Sequence, residues 1–220
     1  MQVHTLFTLA ANTFIVASAN SIVVIDAGMP NQAGRIVKRI RALGYAPRDV
    51  RLILITHGHI DHAGSAAALK RLTGAPIAMH TADIPLVATA NLKVPPGRTP
   101  AIDAVGRLIA KFGFVVPLET FEPDICLEDG QSLKGFGANA RVLHTPGHTA
   151  GSVTIGFDNG ALFVGDALLN LIRVSFPLVW EDADAARASA RKIRGLKPRA
   201  IYTGHGRAFD AQALDDFVVR

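Results

Sequence analysis

The chain has 220 residues, 49% of them hydrophobic and 19% charged, so it can bury a sizeable core and lacks the composition of a disordered protein. The formal net charge of +5 is modest, and Arg and Lys fall in short separate stretches, which excludes the continuous basic face of a nucleic-acid-binding protein. One cysteine excludes a disulfide framework within the chain and a thiolate-rich metal site, and we expect Cys126 to be a small apolar core residue.

The apolar N-terminal stretch, residues 7–19, is predicted to form strands rather than a secretory signal. No Lys or Arg precedes it, and Asn12, Thr13 and Ser18 interrupt it. The sequence also contains no run of about 18 apolar residues free of charge, so no membrane-spanning helix is expected. We therefore expect the protein to be cytoplasmic.

The N-terminal part of the chain is predicted to alternate between strands and helices. The β-branched runs "TFIVAS" and "SIVVIDAG" indicate two strands. Apolar residues at helical spacing in "NQAGRIVKRIRALG" predict a helix that stops at Gly44. The continuous apolar run "VRLILITH" is typical of a strand buried on both faces. A helix, "AGSAAALKRLTG", that ends at Gly74 and a short strand, "PIAMH", follow it.

Residues 84–118 differ from the segments on either side of them. Five prolines break the pattern, and a helical stretch, "AIDAVGRLIAKFG", lies between them. Long connections of this kind are often functional. We predict a single domain over residues 1–220, with a helical cap or insertion at about 84–118.

The C-terminal part repeats the order of strands followed by a helix. Four strands are predicted in "ICLEDG", "RVLHTPGHT", "SVTIGF" and "ALFVGD". A helix, "ADAARASARKIRGL", and a last strand, "AIYTGHG", come after them. Two successive halves of this kind favour two sheets with helices outside.

Side chains of the types that commonly bind metals follow four of the predicted strands. "VRLILITH" runs into "HGHIDH", and the other three strands lead to His148, Asp166 and His205 beside glycine. Loops at strand ends commonly carry functional residues, and glycine lets the backbone approach an ion. In "HGHIDH", residues two apart can face one point, while Asp61 and His62 reach a second. Imidazole and carboxylate are ligands of Zn, Fe and Mn, so we predict a metal site, and a bridging carboxylate would make it a two-metal site.

These motifs resemble those of the metallo-β-lactamase superfamily, whose signature is H-x-H-x-D-H followed by three single ligands. "HTPGHTAGS", "FVGD" and "GHG" match the later motifs in order, and "VVIDAG" is also typical, so the resemblance covers nearly the whole chain. It implies an α/β fold, an αββα sandwich of two mixed sheets with helices outside and the metals at one edge. It also implies the ligands: His57, His59 and His148 for one metal, Asp61, His62 and His205 for the other, and Asp166 as the bridge.

The resemblance further implies two divalent metal ions, with zinc favoured and iron or manganese left open. Such a pair can hold a bridging hydroxide, because metal binding lowers the pKa of water to about 7. Asp61, both ligand and base, would orient this nucleophile and pass on its proton, so Asp61 is the predicted catalytic residue. The predicted reaction is hydrolysis of an ester, thioester or lactone bond in a small-molecule substrate, as in glyoxalase II-like and lactonase-like members.

Other polar residues near the motifs are predicted to support the ligands. Asp26 ends the strand "VVID" and is our candidate for the acceptor that holds a ligand histidine in its tautomer. Thr56 and Ser152 are further candidates for the same role. His144 lies in the turn before the second motif, and we expect it to be structural rather than a ligand.

The fold and the ligands leave the substrate open. True β-lactamases of this superfamily lack the bridging aspartate, so Asp166 argues against that activity. Glyoxalase II-type enzymes add a C-terminal helical domain, which we expect to be absent because only about 15 residues follow His205. Many acyl-homoserine lactonases carry a tyrosine after the bridging aspartate, where this sequence has Leu169. Nuclease branches usually add further domains or basic surfaces, and neither is evident here.

The apolar run "LLNLIRVSFPLVW" after Asp166 has three open interpretations: core packing, an apolar mouth for an acyl chain, or a homodimer contact. Other functional classes also stay open. An oxidoreductase of the persulfide dioxygenase type would bind one iron through His57, His59, His148 and Asp166, and a phosphodiesterase would use the two-metal site. A metal-bound protein without catalysis is disfavoured, because no ligand of the family's set is missing.

Overall fold

Two β-sheets lie face to face in the computed structural model, which describes residues 1–18, 21–89, 97–104 and 118–217. The first sheet consists, in spatial order, of β1 (Gln2–Thr8), β2 (Ala11–Ser18), β3 (Ser21–Ile25), β4 (Val50–Leu54), β5 (Ile77–His80) and β6 (Ile125–Leu127). Strands β1 to β3 are antiparallel, whereas β3 to β6 are parallel. The sheet is therefore mixed, as the sequence predicts.

The second sheet is formed by the C-terminal part of the chain. Its strands are β7 (Ala140–His144), β8 (Val153–Phe157), β9 (Ala161–Phe163) and β12 (Ala200–Tyr202), in the spatial order β12-β9-β8-β7. Strand β12 is parallel to β9, and the other pairs are antiparallel. Between β9 and β12, the chain forms a separate two-stranded hairpin of β10 (Leu169–Asn170) and β11 (Val174–Ser175).

Helices cover the outer faces of both sheets. They are α1 (Ala33–Ala42), α2 (Ile60–Ala63), α3 (Ala66–Thr73), α4 (Ile84–Ala88), α5 (Ala183–Gly195) and α6 (Ala211–Asp216). Helix α5 begins where the Asp182 carboxylate accepts hydrogen bonds from the amides of Asp184 and Ala185, both at 2.9 Å. Basic Lys192 and Arg194 lie in its last turn, where they interact favourably with the helix dipole.

The core consists of three apolar layers. Each sheet contributes side chains to the layers on both of its faces, because successive side chains of a strand point to opposite faces. One layer lies between the sheets and includes Phe14, Val23, Leu52, Val142, Ile155 and Phe163. A second layer lies beneath α1 and α3 and includes Ile15, Val24, Ile53, Ile36 and Leu69. A third lies between the second sheet and the helices α5 and α6 and includes Leu162, Ile201, Ile193 and Leu214. The predicted αββα sandwich is thereby confirmed.

Strand β4 illustrates how the core fixes the position of polar residues. The predicted burial on both faces is confirmed, since Leu52, Ile53, Leu54 and Ile55 are fully buried. A strand in this position has parallel neighbours on both sides and offers no free edge. The residues from Thr56 onward therefore emerge at the carboxyl end of the sheet, where β3 also ends.

Several elements of the fold were not predicted, among them the hairpin β10–β11 and the short helix α2, and one expectation was wrong. Strand β1 was not among the predicted elements, nor was the C-terminal helix α6. The expectation that Cys126 is a core residue was wrong, because its side chain is exposed. It lies on β6, the last strand of the first sheet, where the inward-facing residue is Leu127.

The predicted cap at residues 84–118 is described only in part. Helix α4 begins at Ile84, and residues 100–104 are helical, but most of the helix predicted at 101–113 lies outside the described residues. The amide of Arg98 donates to the Leu178 carbonyl at 2.8 Å, so this segment contacts the chain after β11. Within the described ranges, no helix has the length and apolar character that a membrane crossing needs. The single domain with a cap stays a prediction.

The layer between the sheets should dominate stability. Phe163 is fully buried and its ring packs on those of Phe14, Phe157 and Tyr202. We expect Phe163→Ala to lower the free energy of unfolding by about 3–5 kcal/mol, because it removes buried surface and leaves a cavity. Phe7→Ala, at a side chain that is 56% exposed, is the control and should change it by less than about 0.5 kcal/mol. Equal losses in urea denaturation would contradict this account of the core.

Candidate metal centre

The predicted ligands meet at one edge of the sandwich. The loop after β4 carries His57 to His62, and the loops after β7, β9 and β12 carry His148, Asp166 and His205. Three overlapping groups have ligand atoms within 4.8 Å of one another: His57 with His59 and His148, His57 with His62 and Asp166, and Asp61 with His62 and His205. The structure therefore brings together all seven residues that the sequence singles out.

Asp166 lies between the two sides of this cluster. Its Oδ1 is 3.4 Å from Nε2 of His62, and its Oδ2 is 3.2 Å from Nε2 of His205 and 3.6 Å from Nε2 of His148. Its side chain is almost fully buried, yet Oδ1 accepts no hydrogen bond from the described residues. A buried carboxylate oxygen without a hydrogen bond is costly, which fits an oxygen that ligates a cation.

Hydrogen bonds to the far side of three rings fix their tautomers. Nδ1 of His62 lies 2.8 Å from Oδ2 of Asp26, Nδ1 of His148 lies 2.8 Å from the Val179 carbonyl, and Nδ1 of His205 lies 3.0 Å from the Ala10 carbonyl. A carboxylate or carbonyl oxygen can only accept, so Nδ1 is the protonated nitrogen in each ring. Each ring therefore turns Nε2 toward the cluster, as metal-binding histidines commonly do.

Thr56 does the same for His57. Its hydroxyl donates to Oδ2 of Asp26 at 2.9 Å, so the hydroxyl oxygen accepts from Nδ1 of His57 at 3.1 Å. The roles expected of Asp26 and Thr56 therefore agree with the geometry. Ser152 instead hydrogen-bonds to Thr149, and among the described residues none of its hydrogen bonds reaches a ligand histidine. His144 stacks on His80 at a ring distance of 4.2 Å, apart from the cluster.

The first group, His57, His59 and His148, brings acceptor nitrogens together. Nε2 of His148 lies 3.2 Å from Nε2 of His57 and 2.9 Å from Nδ1 of His59. Because the Nδ1 protons of His57 and His148 are already donated elsewhere, neutral rings would point lone pairs at each other. Such an arrangement is repulsive unless a cation lies between them. The donor set and its geometry therefore fit a divalent metal ion of the zinc or iron type.

Electrostatics divides the cluster into two unlike halves. Burial, followed by the nearby histidines, holds the pKa of His57 well below its ordinary value and that of His59 at about 3. Burial alone would also lower the pKa of His62 and His205, but the carboxylates, Asp166 foremost, raise these values to about 9 and about 11. His57 and His59 of the first group are therefore neutral imidazoles, whereas His62 and His205 carry protons when no metal is bound.

The two carboxylates of the second half stay ionised. Burial alone would raise the pKa of Asp61, but the charge of His62 and a hydrogen bond from His205 hold it at about 2. The pKa of Asp166 is likewise held well below its ordinary value, against the effect of burial, by His205 and His62. Both side chains are therefore available as anionic ligands at neutral pH.

Two residues that hold His205 escaped the sequence analysis. Asn12 on β2 donates from Nδ2 to the carbonyls of Thr203 at 3.0 Å and Gly206 at 2.9 Å, on either side of His205. The Ala10 carbonyl accepts from its ring, as described above. The Asn12 side chain is 191 residues from Thr203, and Ala10 contributes a main-chain atom, so no local pattern could have predicted them.

Known proteins resemble this chain along most of its length. Residues 6–205 match the model of the metallo-beta-lactamase superfamily. The chain is 30% identical over 226 residues to the probable metallo-hydrolase YflN of Bacillus subtilis, covering 93% of this chain and 83% of that protein. It is 31% identical over 158 residues to the hydroxyacylglutathione hydrolase GloC of Haemophilus influenzae, covering 70% of this chain and 65% of that enzyme.

Solved structures also share the fold. TTHA1623 in a di-iron-bound form superposes with a TM-score of 0.73 at 27% identity, covering 97% of this chain and 96% of that one. The BLEG-1 B3 metallo-beta-lactamase superposes with a TM-score of 0.75 at 25% identity, covering 98% and 97%. The match to the family model spans most of the chain and the architecture agrees with it, so the chain belongs to the metallo-beta-lactamase superfamily.

Proposed function

We propose that the protein is a metal-dependent hydrolase that cleaves an ester, thioester or lactone bond in a small-molecule substrate. The observation that carries this proposal is the position of Asp166, whose two oxygens lie 3.2–3.6 Å from histidines of both halves of the cluster. A carboxylate in this position suits a bridge between two metal ions. The names of the relatives YflN and GloC, a probable metallo-hydrolase and a hydroxyacylglutathione hydrolase, support the reaction class.

The proposed ligands are His57, His59 and His148 for one ion, Asp61, His62 and His205 for the other, and Asp166 for both. Two divalent ions held there would supply a hydroxide at neutral pH and polarise the substrate's carbonyl oxygen. Zinc is our first choice because the donors are imidazole and carboxylate.

Asp61 is the proposed catalytic residue. Its Oδ2 lies 3.3 Å from Nε2 of His205, and its side chain is 24% exposed, so it borders the open side of the cluster. As an anion it can only accept, and it therefore orients an attacking water by accepting one of its protons. As a general base it takes this proton, and it can then pass it to the leaving group.

The substrate is proposed to approach from the side of His59, Asp61 and His205. These three side chains are partly exposed, whereas His57, His62, His148 and Asp166 are buried. The buried side excludes water, which strengthens the electrostatic interactions inside the site. The open side leaves room for a carbonyl group next to the catalytic carboxylate.

The hairpin β10–β11 is the proposed contact for an apolar acyl part. It follows Asp166 by three residues, and the Asn170 amide donates to the His205 carbonyl at 3.1 Å. Leu171 and Ile172 at its tip are 57% and 99% exposed, which is unusual for side chains this apolar. Leu168 and Leu169 are buried, so part of the run is core and part is free to bind. A homodimer contact through the same tip is the alternative.

A mononuclear iron oxygenase is a second candidate, because imidazole and carboxylate also suit iron and the similar protein TTHA1623 was solved in a di-iron-bound form. In this case one iron would be held by His57, His59, His148 and Asp166, and the protein would consume dioxygen. The second group of Asp61, His62 and His205 favours the dinuclear hydrolase, since a single iron would leave these three ligand side chains without a role.

Metal content and substrate class can be tested together. We expect about two zinc ions per chain and hydrolysis of esters, thioesters or lactones whose KM falls as the acyl chain lengthens. The same preparation should be offered phosphodiesters, a β-lactam and a persulfide, with oxygen uptake recorded. One iron per chain with oxygen consumption would overturn the hydrolase proposal, and turnover of phosphodiesters alone would replace it with the phosphodiesterase.

Asp166→Ala tests the bridge. We expect the variant to hold about one metal ion per chain, because a ligand shared by both ions is gone. Its kcat/KM should fall by more than about 100-fold, which exceeds the loss caused by removing a residue that only supports a ligand. Asp184→Ala is the control, since that carboxylate on α5 is 96% exposed and contributes little to stability. A folded Asp166→Ala variant with full activity would rule out the two-metal assignment.

Metal affinity should depend on pH differently in the two groups. His62 and His205 carry protons at neutral pH that a metal must displace, so affinity of the second group should fall steeply as pH drops from about 8 to 6. His57 and His59 are already neutral, so affinity of the first group should change much less over this range. Zinc titrations of His59→Ala and His205→Ala, each of which disables one group, would measure the two slopes, and equal slopes would contradict the assignment.

A further inference from the structure

A second buried carboxylate, that of Asp83, lies beside the metal centre. Asp83 is 1% exposed and ends the short 3-10 helix Thr81–Asp83 between β5 and α4. Its Oδ2 accepts from the Gly58 amide at 2.8 Å and from the Thr149 hydroxyl at 2.7 Å, and its Oδ1 accepts from the Gly151 amide at 2.6 Å. These donors belong to two different loops, those after β4 and β7.

The three donors are close in sequence to the first group of ligands. Gly58 lies between His57 and His59, and Thr149 directly follows His148. The carboxylate therefore ties the two loops that supply this group to each other. Among the described residues, the hydrogen bonds of Asp83 reach neither the ligands of the second group nor Asp26.

Two glycines allow the carboxylate to approach the backbone this closely. A Cβ at Gly151 would lie 2.5 Å from Cγ of Asp83, and a Cβ at Gly58 would lie 2.9 Å from Cβ of Leu86 on α4. Neither position can hold a larger residue unless the segment from Asp83 to Leu86 moves away. The glycines in "HGH" and "HTAGS" thus have a role beyond spacing the ligands.

We propose that Asp83 is a positioning residue for the first metal: its carboxylate sets the distance between the His57–His59 loop and the His148 loop. The inference rests on the proposed function, in which these three histidines hold a metal ion. Ligand geometry must be held closely for tight binding, and groups that orient ligands typically contribute about 10–100-fold to metal affinity. Asp83 accepts from two amides and one hydroxyl, and none of these contacts reaches a ligand ring, whereas Asp26 contacts a ring nitrogen of His62.

Asp83→Asn is the test substitution, because it keeps the size of the side chain. An amide has one acceptor oxygen, and its NH₂ group would face an amide or hydroxyl donor, so the loops lose at least one of their ties. Thr149→Val removes a single tie, and Thr149→Ser restores the hydroxyl. This pair of variants tests the positioning role of Asp83 even when Asp83→Asn folds poorly.

The experiment measures Co²⁺ affinity and the visible Co²⁺ spectrum in two backgrounds. His205→Ala disables the second group and leaves the first, whereas His59→Ala does the reverse. In the His205→Ala background, we expect Asp83→Asn to weaken Co²⁺ binding about 10–100-fold and to change the Co²⁺ spectrum. Thr149→Val should also weaken Co²⁺ binding, whereas Thr149→Ser should bind Co²⁺ as the parent protein does. In the His59→Ala background, the same substitutions should leave affinity within about twofold, and Asp26→Asn should now cause the loss.

The outcomes separate the two proposals. A folded Asp83→Asn variant with unchanged Co²⁺ affinity in the His205→Ala background would overturn the positioning role alone. Equal losses in both backgrounds would also overturn it, since they indicate a general loss of structure. If neither background binds Co²⁺, the proposed metal centre itself fails.

Discussion

The carboxylate of Asp26 is the contact on which the rest of the centre depends. It accepts from the amide of Thr56 at 2.8 Å, from its hydroxyl at 2.9 Å and from Nδ1 of His62 at 2.8 Å. One buried side chain thus joins the ends of β3 and β4 to helix α2. Its backbone has a φ of +60°, a left-handed conformation that aspartate tolerates better than most residues. Local strain of this kind is concentrated at functional sites, where the surrounding structure compensates for it.

Strand β4 illustrates what can be predicted from a sequence. A continuous apolar run predicts a central strand because both faces must be buried, and polar residues after it must then lie at a sheet edge. His57, His59, Asp61 and His62 could be located in this way, as could His148, Asp166 and His205 after three further strands. The superfamily resemblance then implied which metal each would hold. The site could be located because the apolar run of each strand and the polar residues after it are both visible in a short segment of sequence.

The errors arose where burial depends on distant partners. Within the described part of the chain, strand β1 pairs only with β2. Its residues are exposed or half-buried except for Thr8, so it lacks a strong apolar signal. Cys126 lies in a three-residue strand at the opposite edge, where the local sequence does not disclose which face is covered. Asp83, Ala10 and Asn12 contact groups far away in sequence, and most of these contacts involve main-chain atoms. Contacts of this kind leave no pattern of residue types for a motif to capture.

The attachment of His205 to the N-terminal hairpin has a consequence for folding. Its ring donates to Ala10, 195 residues earlier, and Asn12 holds the two carbonyls beside it. Contacts this distant form late, since the chain must close a long loop before they stabilise anything. The three histidines of the first group lie within residues 57–148, but the complete set of proposed ligands comes together only once β12 has docked against the first hairpin. A metal ion held by the proposed ligand His205 would therefore stabilise the contact between the N-terminal hairpin and β12, because it would bind only the fully folded state.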